Sequence, residues 1–178
     1  QYSFKWEFNL IKSNEVNAWC MPGGKVAVYS GLMPLAKTDA ELATVMGHEI
    51  GHAIARHSAE RISQQMVAQG VGGAVGVASG NQSAATQAII NNLYGVGSQL
   101  TLLKYSRDQE SEADRLGLTF MALAGYDPHA ALTFWQHMAA QNKNGTPPEL
   151  LSTHPADATR IADIQKRLPE AMKYYTKH

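Results

Sequence analysis

From residue 39 onward, apolar side chains fall at helical spacing. Leu42, Val45, Met46, Ala53 and Ile54 recur three and four residues apart, the period of a helix with one buried face. Thr38 or Asp39 can cap its start, and a Thr38 cap puts Glu41 at the capping-box position. Two earlier stretches follow a different period. Residues 2–11 alternate polar and apolar, and residues 24–30 are rich in Val and Tyr; both predict strands. Pro22-Gly23-Gly24 between them marks a turn. After the first helix, predicted over 39–68, further helices are expected over 84–120, 128–142 and 156–168, with a loop at 142–148. Pro128 and Pro155 stand where helix starts tolerate proline. The pattern predicts one domain over 1–178, of α+β class and mainly α, with a small β-sheet packed on a long helix.

Composition narrows the partners. The 178 residues carry 15 basic and 15 acidic side chains, and no basic stripe appears, so nucleic acid is excluded as an expected partner. Cys20, the one cysteine, excludes an internal disulfide and reads as a small buried apolar residue. The chain does not open with Met, which predicts a fragment or processed form whose membrane anchor or signal precedes it. No run of about 20 apolar residues is present, so no spanning helix is expected. Five glycines between Gly70 and Gly80 read as a closely packed or flexible connection, or as a cover over a site. Asn81-Gln82-Ser83 matches a glycosylation triplet, a weak signal alone.

Within the first helix stands His48-Glu49-Ile50-Gly51-His52. At about 100° per residue, His48 and His52 share a face one turn apart and can grip one metal ion. Glu49 lies beside them as a general base rather than a ligand. Imidazole nitrogens in this pattern suit zinc, one ion per chain, and the arrangement is that of a metallopeptidase. A catalytic zinc commonly takes three protein ligands and leaves one position open. Glu110 and Asp114 are again four residues apart, so this pair can supply a third ligand and a carboxylate that orients a ligand imidazole; Glu112 points elsewhere. The longer metzincin pattern is excluded, because Ala55 and Ser58 occupy its Gly and His positions. His57 lies about 140° around a continuous helix from His52 and reads as structural or exposed. His129, His137 and His178 carry no supporting pattern.

Taken together, His48-Glu49-Ile50-Gly51-His52 and Glu110-Ser111-Glu112-Ala113-Asp114 resemble the HtpX-like, CAAX-prenyl-protease-type zinc peptidases. This is metallopeptidase family forty-eight, which also holds the mitochondrial Oma peptidases. Asn17-Ala18, Pro22-Gly23-Gly24 and Ser30-Gly31-Leu32 resemble the family's segment before the motif helix. Ser152-Thr153-His154-Pro155 and Arg160-Ile161 resemble its C-terminal motif, so the likeness runs from about residue 14 to 165. The resemblance implies a gluzincin core, zinc held by His48, His52 and Glu110, and Glu49 as base. It also implies that His154 acts near the metal, as oxyanion donor or as a cap on the open position, with capping favoured. Arg160 is expected to pair with an acidic site residue or with substrate. The chain looks like the soluble or lipid-anchored members located in the cell envelope, periplasmic in bacteria.

The expected activity is endopeptidase cleavage of unfolded or misassembled polypeptide. The strand at 25–30, through Val26, Ala27 and Val28, is expected to offer a free edge to an extended substrate. The competing reading is a zinc-stabilised chaperone or interaction module without turnover. Glu49 argues against it, because a purely structural zinc needs no base.

Overall fold

Thr38 starts the motif helix. Its backbone is extended and its hydroxyl accepts the Glu41 N–H at 3.2 Å, so α1 runs Asp39–Ile54. The Glu41 carboxylate does not close back on Thr38; it accepts the Lys37 N–H at 2.7 Å instead. The computed structural model describes residues 4–68, 106–141 and 148–176. Over these, the order is β1 (Glu7–Ile11), β2 (Ala18–Met21), β3 (Lys25–Tyr29), α1, α2 (His57–Ala68), α3 (Arg107–Leu123), α4 (His129–Gln141), α5 (Glu149–Thr153) and α6 (Ala158–Ala171). This is the expected mainly helical α+β fold. The Gly70–Gly80 stretch, the 81–83 triplet, the first part of the helix expected over 84–120, and residues 142–147 lie outside the described residues.

Two boundaries differ from expectation for physical reasons. The helix predicted over 39–68 is two helices. Arg56 takes φ of 61°, a left-handed conformation that costs a non-glycine residue roughly 1–2 kcal/mol and ends the α-helical run. No Gly or Pro marks this break. The last helix begins at Ala158 rather than 156, because the Asp157 side chain accepts the Arg160 N–H as N-cap. A short helix not foreseen, α5, ends at Thr153, so His154 is its C-cap with an extended φ of −125°.

The sheet order is β1-β3-β2. β3 pairs parallel with β1 (Phe8 beside Val26) and antiparallel with β2 (Cys20 beside Val26). The expectation of a free edge at Val26, Ala27 and Val28 is therefore wrong: they form the central strand, and all three are buried. The signal for β2 was weak, four residues ahead of a turn, and its pairing is what covers β3. Among the described residues the open edges belong to β1 and β2. All five residues of β1 are exposed, so its apolar Phe8 and Leu10 face solvent, with Phe4, Trp6 and Phe8 stacked along it at 4.9 and 6.3 Å.

The main core gathers Leu32, Val45, Phe134, Trp135, Leu150 and Ile164. Against it α1 crosses α3, and at Gly47, Gly51 and Gly117 backbone meets backbone. A Cβ on Gly51 would sit 2.7 Å from the Ala113 carbonyl oxygen, and one on Gly117 would sit 2.9 Å from the Gly47 carbonyl carbon. Only hydrogen fits at those places. That closeness brings the Glu110–Asp114 turn of α3 onto the motif face of α1.

Candidate metal centre

Four side chains converge where α1 meets α3. His48 Nε2 lies 3.0 Å from His52 Nε2, and these lie 3.4 and 3.3 Å from the two oxygens of Glu110. His154 Nδ1 joins them, 3.1 Å from His48 Nε2 and 2.9 Å from Glu110 Oε1. In a tetrahedral zinc site with bonds of about 2.1 Å, ligand atoms stand about 3.4 Å apart. The shortest separations are 2.9 to 3.4 Å, and one ligand atom from each of the four residues lies within 4.8 Å of the others, close enough to surround a single ion. Every member is buried.

The donor set fits a cation on electrostatic grounds as well. Glu49, Glu110 and Asp114 are three buried carboxylates; Arg160 is the buried guanidinium beside them. The acidic groups outnumber the guanidinium, an imbalance that a bound cation would offset. Glu49 Oε1 and Glu110 Oε2 are buried without a hydrogen bond. Glu110 Oε2 does lie 2.9 Å from Arg160 Nη1, but as an ion pair without hydrogen-bond alignment. Burial and the Arg160 charge push the His48 imidazolium down, yet Glu110 and Asp114 outweigh them and hold it up at about 9. Burial and the His48 charge keep His52 well below the ordinary imidazole value. Burial raises the Glu110 carboxyl, but His154 and His48 more than reverse this, leaving it well below the usual carboxylate range. The pocket thus favours positive charge at its centre.

Each partner has a traceable position. His48 Nδ1 donates to Asp114 Oδ1 at 2.8 Å, so that the neutral ring carries its lone pair on Nε2, toward the cluster. Asp114 in turn accepts two hydrogen bonds from Arg160, through Nε and Nη2, both at 2.8 Å. Burial raises the Asp114 carboxyl, but the Arg160 and His48 charges win and set it at about 2. Arg160 also donates to the Pro155 carbonyl at 3.2 Å and lies 3.5 Å over the Trp135 ring, a contact the sequence did not signal. Glu49 stands beside the cluster, its Oε1 3.3 Å from His154 Nε2, and burial raises its pKa.

The structure brings together His48, Glu49, His52, Glu110, Asp114, His154 and Arg160. It does not bring Val26, Ala27 or Val28 to an open edge. Cys20, on β2, is buried; burial and then the Glu49 charge push its thiol up to about 12, which keeps it protonated. Two residues set aside from the site also prove to be near it. His57 Nδ1 lies 2.9 Å from His52 Nδ1, and His57 Nε2 lies 3.1 Å from Glu112 Oε2. Reading 39–68 as one helix hid the first contact. His129 instead pairs with Asp127, and His137 approaches Glu41 at 3.6 Å. His178 lies outside the described residues. A cavity of about 340 Å³ reaches Glu110, Asp114 and Arg160 past Ser111 and Pro155; another of about 300 Å³ reaches His52 past Phe4, Gly23 and Ser58.

Comparison with known proteins agrees with this site. The model of Peptidase family M48 matches residues 2–168. The chain is 40% identical over 168 residues to the mitochondrial metalloendopeptidase OMA1 of Schizosaccharomyces pombe, covering 94% of this chain and 48% of that protein. It is 38% identical to the protein of the same name from Arabidopsis thaliana, over 87% of this chain and 30% of the relative. It is 32% identical to the beta-barrel assembly-enhancing protease of Escherichia coli, over 91% of this chain and 34% of the relative. The chain thus spans about half, or less, of the curated relatives it matches. With a buried His-Glu-His cluster on crossing helices and a family match along nearly its whole length, this chain belongs to peptidase family M48, a family of metallopeptidases.

Proposed function

We propose that this domain is a zinc endopeptidase in which His48, His52 and Glu110 hold the ion, Glu49 is the general base, and His154 closes the fourth position in a resting form. The observation that carries this reading is the four-membered buried cluster with Glu49 alongside. When bound, zinc supplies Lewis-acid polarisation of water and of the scissile carbonyl. Glu49 takes the proton of the attacking water and passes it to the leaving amine, a task matched to its raised pKa. Asp114 keeps the His48 proton on Nδ1, and Arg160 neutralises Asp114 and steadies the Pro155 carbonyl next to His154.

His154 sits within reach of the ligands rather than at the rim, which favours capping over oxyanion donation. A resting enzyme of this kind turns over only when the His154–Pro155 segment withdraws. An extended substrate is best received by β2, an outer strand whose Cys20 lies close enough to Glu49 to feel its charge. Main-chain pairing of that sort tolerates many sequences and suits unfolded or misassembled polypeptide. The relatives' names, one mitochondrial and one tied to β-barrel assembly, support work at an envelope membrane. Among the described residues no helix is long and apolar enough to cross a membrane.

The test is degradation of casein with and without a chelator, on wild type, Glu49→Gln and His154→Ala. Glu49→Gln should keep stoichiometric zinc and lose turnover. His154→Ala should raise activity at matched zinc occupancy. A fall of about 100-fold would instead make His154 an oxyanion donor. Turnover by Glu49→Gln at the wild-type rate would reject Glu49 as the base.

A further inference from the structure

His57 and Glu112 stand outside the ligand set, yet their geometry leads straight into it. We propose that they form a positioning relay for His52, fixing its tautomer and ring orientation for the metal. The inference rests on the reading of His48, His52 and Glu110 as ligands.

The argument is one of proton placement. His52 points Nε2 into the cluster, 3.0 Å from His48 Nε2 and 3.3 Å from Glu110 Oε1. A neutral imidazole that gives one nitrogen's lone pair to a metal carries its proton on the other. His52 Nδ1 is therefore the donor, and His57 Nδ1, 2.9 Å away, has to accept. An imidazole that accepts at Nδ1 carries its own proton at Nε2 when neutral. That nitrogen lies 3.1 Å from Glu112 Oε2, which only accepts when ionised. Both hydrogen bonds then run in one direction, from the cluster outward. The other assignment, with His57 protonated at Nδ1, would set two N–H groups against each other or strip the proton from His52.

Burial fits the same picture. His57 is 2% exposed and Glu112 keeps half its side chain in solvent. The relay thus delivers the ordering effect of a carboxylate without burying a fourth one in a pocket that already holds Glu49, Glu110 and Asp114. Its parts come from three helices: His52 lies in the last turn of α1, His57 opens α2 after the left-handed Arg56, and Glu112 lies two residues from Glu110 on α3.

The experiment measures zinc affinity by competition with a chromophoric chelator, alongside long-range ¹H–¹⁵N histidine spectra of the zinc-loaded wild type. The spectra should place the His52 proton on Nδ1 and the His57 proton on Nε2; a proton on His57 Nδ1 overturns the proposal. His57→Ala should weaken zinc binding about 10–100-fold, the usual cost of losing such a partner. His57→Asn, whose side-chain oxygen can stand where Nδ1 stood, should recover most of that loss. Glu112→Ala should weaken binding several-fold with His57 present and have no effect in the His57→Asn background. Losses that simply add across the two sites overturn the relay, since independent positions add and coupled ones do not. Unchanged affinity in His57→Ala, with stoichiometric zinc in wild type, overturns the relay alone. Wild type without stoichiometric zinc overturns the ligand reading and the relay with it.

Discussion

His48 gives its second ring nitrogen to Asp114, a buried carboxylate 2.8 Å away and 5% exposed. His52 gives its own to another imidazole, His57, which hands the interaction on to a half-exposed carboxylate. The two histidines are one helical turn apart, yet their support differs in kind. The Asp114 arrangement puts a full charge in the interior, and that charge needs Arg160, with Trp135 stacked beneath the guanidinium. The His57 arrangement puts a second imidazole inside and leaves its carboxylate half in solvent. The lesson concerns desolvation. Each ionised group taken into the interior carries a desolvation cost that a counter-charge must offset, and a carboxylate left half in solvent avoids most of it.

That contrast predicts unequal consequences when each side is broken. The largest falls on Arg160. Arg160→Met leaves Asp114 and Glu110 buried without their counter-charge and should cost about 3–5 kcal/mol, read from the shift in urea midpoint. If the loss is under about 1 kcal/mol, the Asp114 side is no more charge-dependent than a surface ion pair and the contrast fails.

Next in size is Asp114→Asn, which keeps an acceptor oxygen but not the charge. Zinc affinity should fall about 10–100-fold, measured against a competing chelator. Wild-type affinity would mean that hydrogen bonding alone, as on the His57 side, suffices for His48 too.

The third prediction is a pH dependence. Asp114 is held at about 2, below its ordinary 3.8. A carboxyl lowered on folding adds stability above its unfolded value, and that stability is lost as pH falls through the folded one. Metal-free protein should therefore lose about 2 kcal/mol from this group between about pH 5 and pH 2, as measured by denaturant titration. The same titration on Asp114→Asn should show a shallower loss; an identical curve would place the acid sensitivity elsewhere.

The smallest effect belongs to the solvent end of the relay. Glu112→Gln retains an acceptor for the His57 N–H, so stability should stay within about 0.5 kcal/mol of wild type. A larger drop would show that the surface charge matters in itself and would bring the two sides closer together.

The same contrast explains what could be read in the chain beforehand. His48 with His52, and Glu110 with Asp114, are pairs at four-residue spacing, and helical geometry alone puts each pair on one face. Four of the central groups were therefore legible. His154 was legible through family likeness, because a single His before Pro has no period. His57 was not, since its closeness to His52 depends on the left-handed turn at Arg56, which carries no glycine or proline. The sheet divided in the same way. β1 and β3 were visible as strands, but a four-residue β2 inside a turn-rich stretch was not, so β3 was taken for an outer strand. Local periodicity survives translation into structure; contacts that depend on a break in the period, here the turn before Lys25 and the left-handed Arg56, do not, even between near neighbours in sequence.

The glycine crossing of α1 and α3 has a consequence for engineering. With Gly47 and Gly51 against Ala113 and Gly117, main chain rests on main chain, and the span between the His48–His52 turn and the Glu110–Asp114 turn is gauged by backbone thickness. Refilling the interior around Phe134 or Met138 with other apolar shapes changes how tightly the bundle holds, while leaving that gauge alone. Anyone grafting this centre onto another helical scaffold has to carry the bare crossing along with the ligands. Copying His48, His52 and Glu110 onto helices separated by ordinary side chains would set the same groups several ångströms too far apart to share one ion.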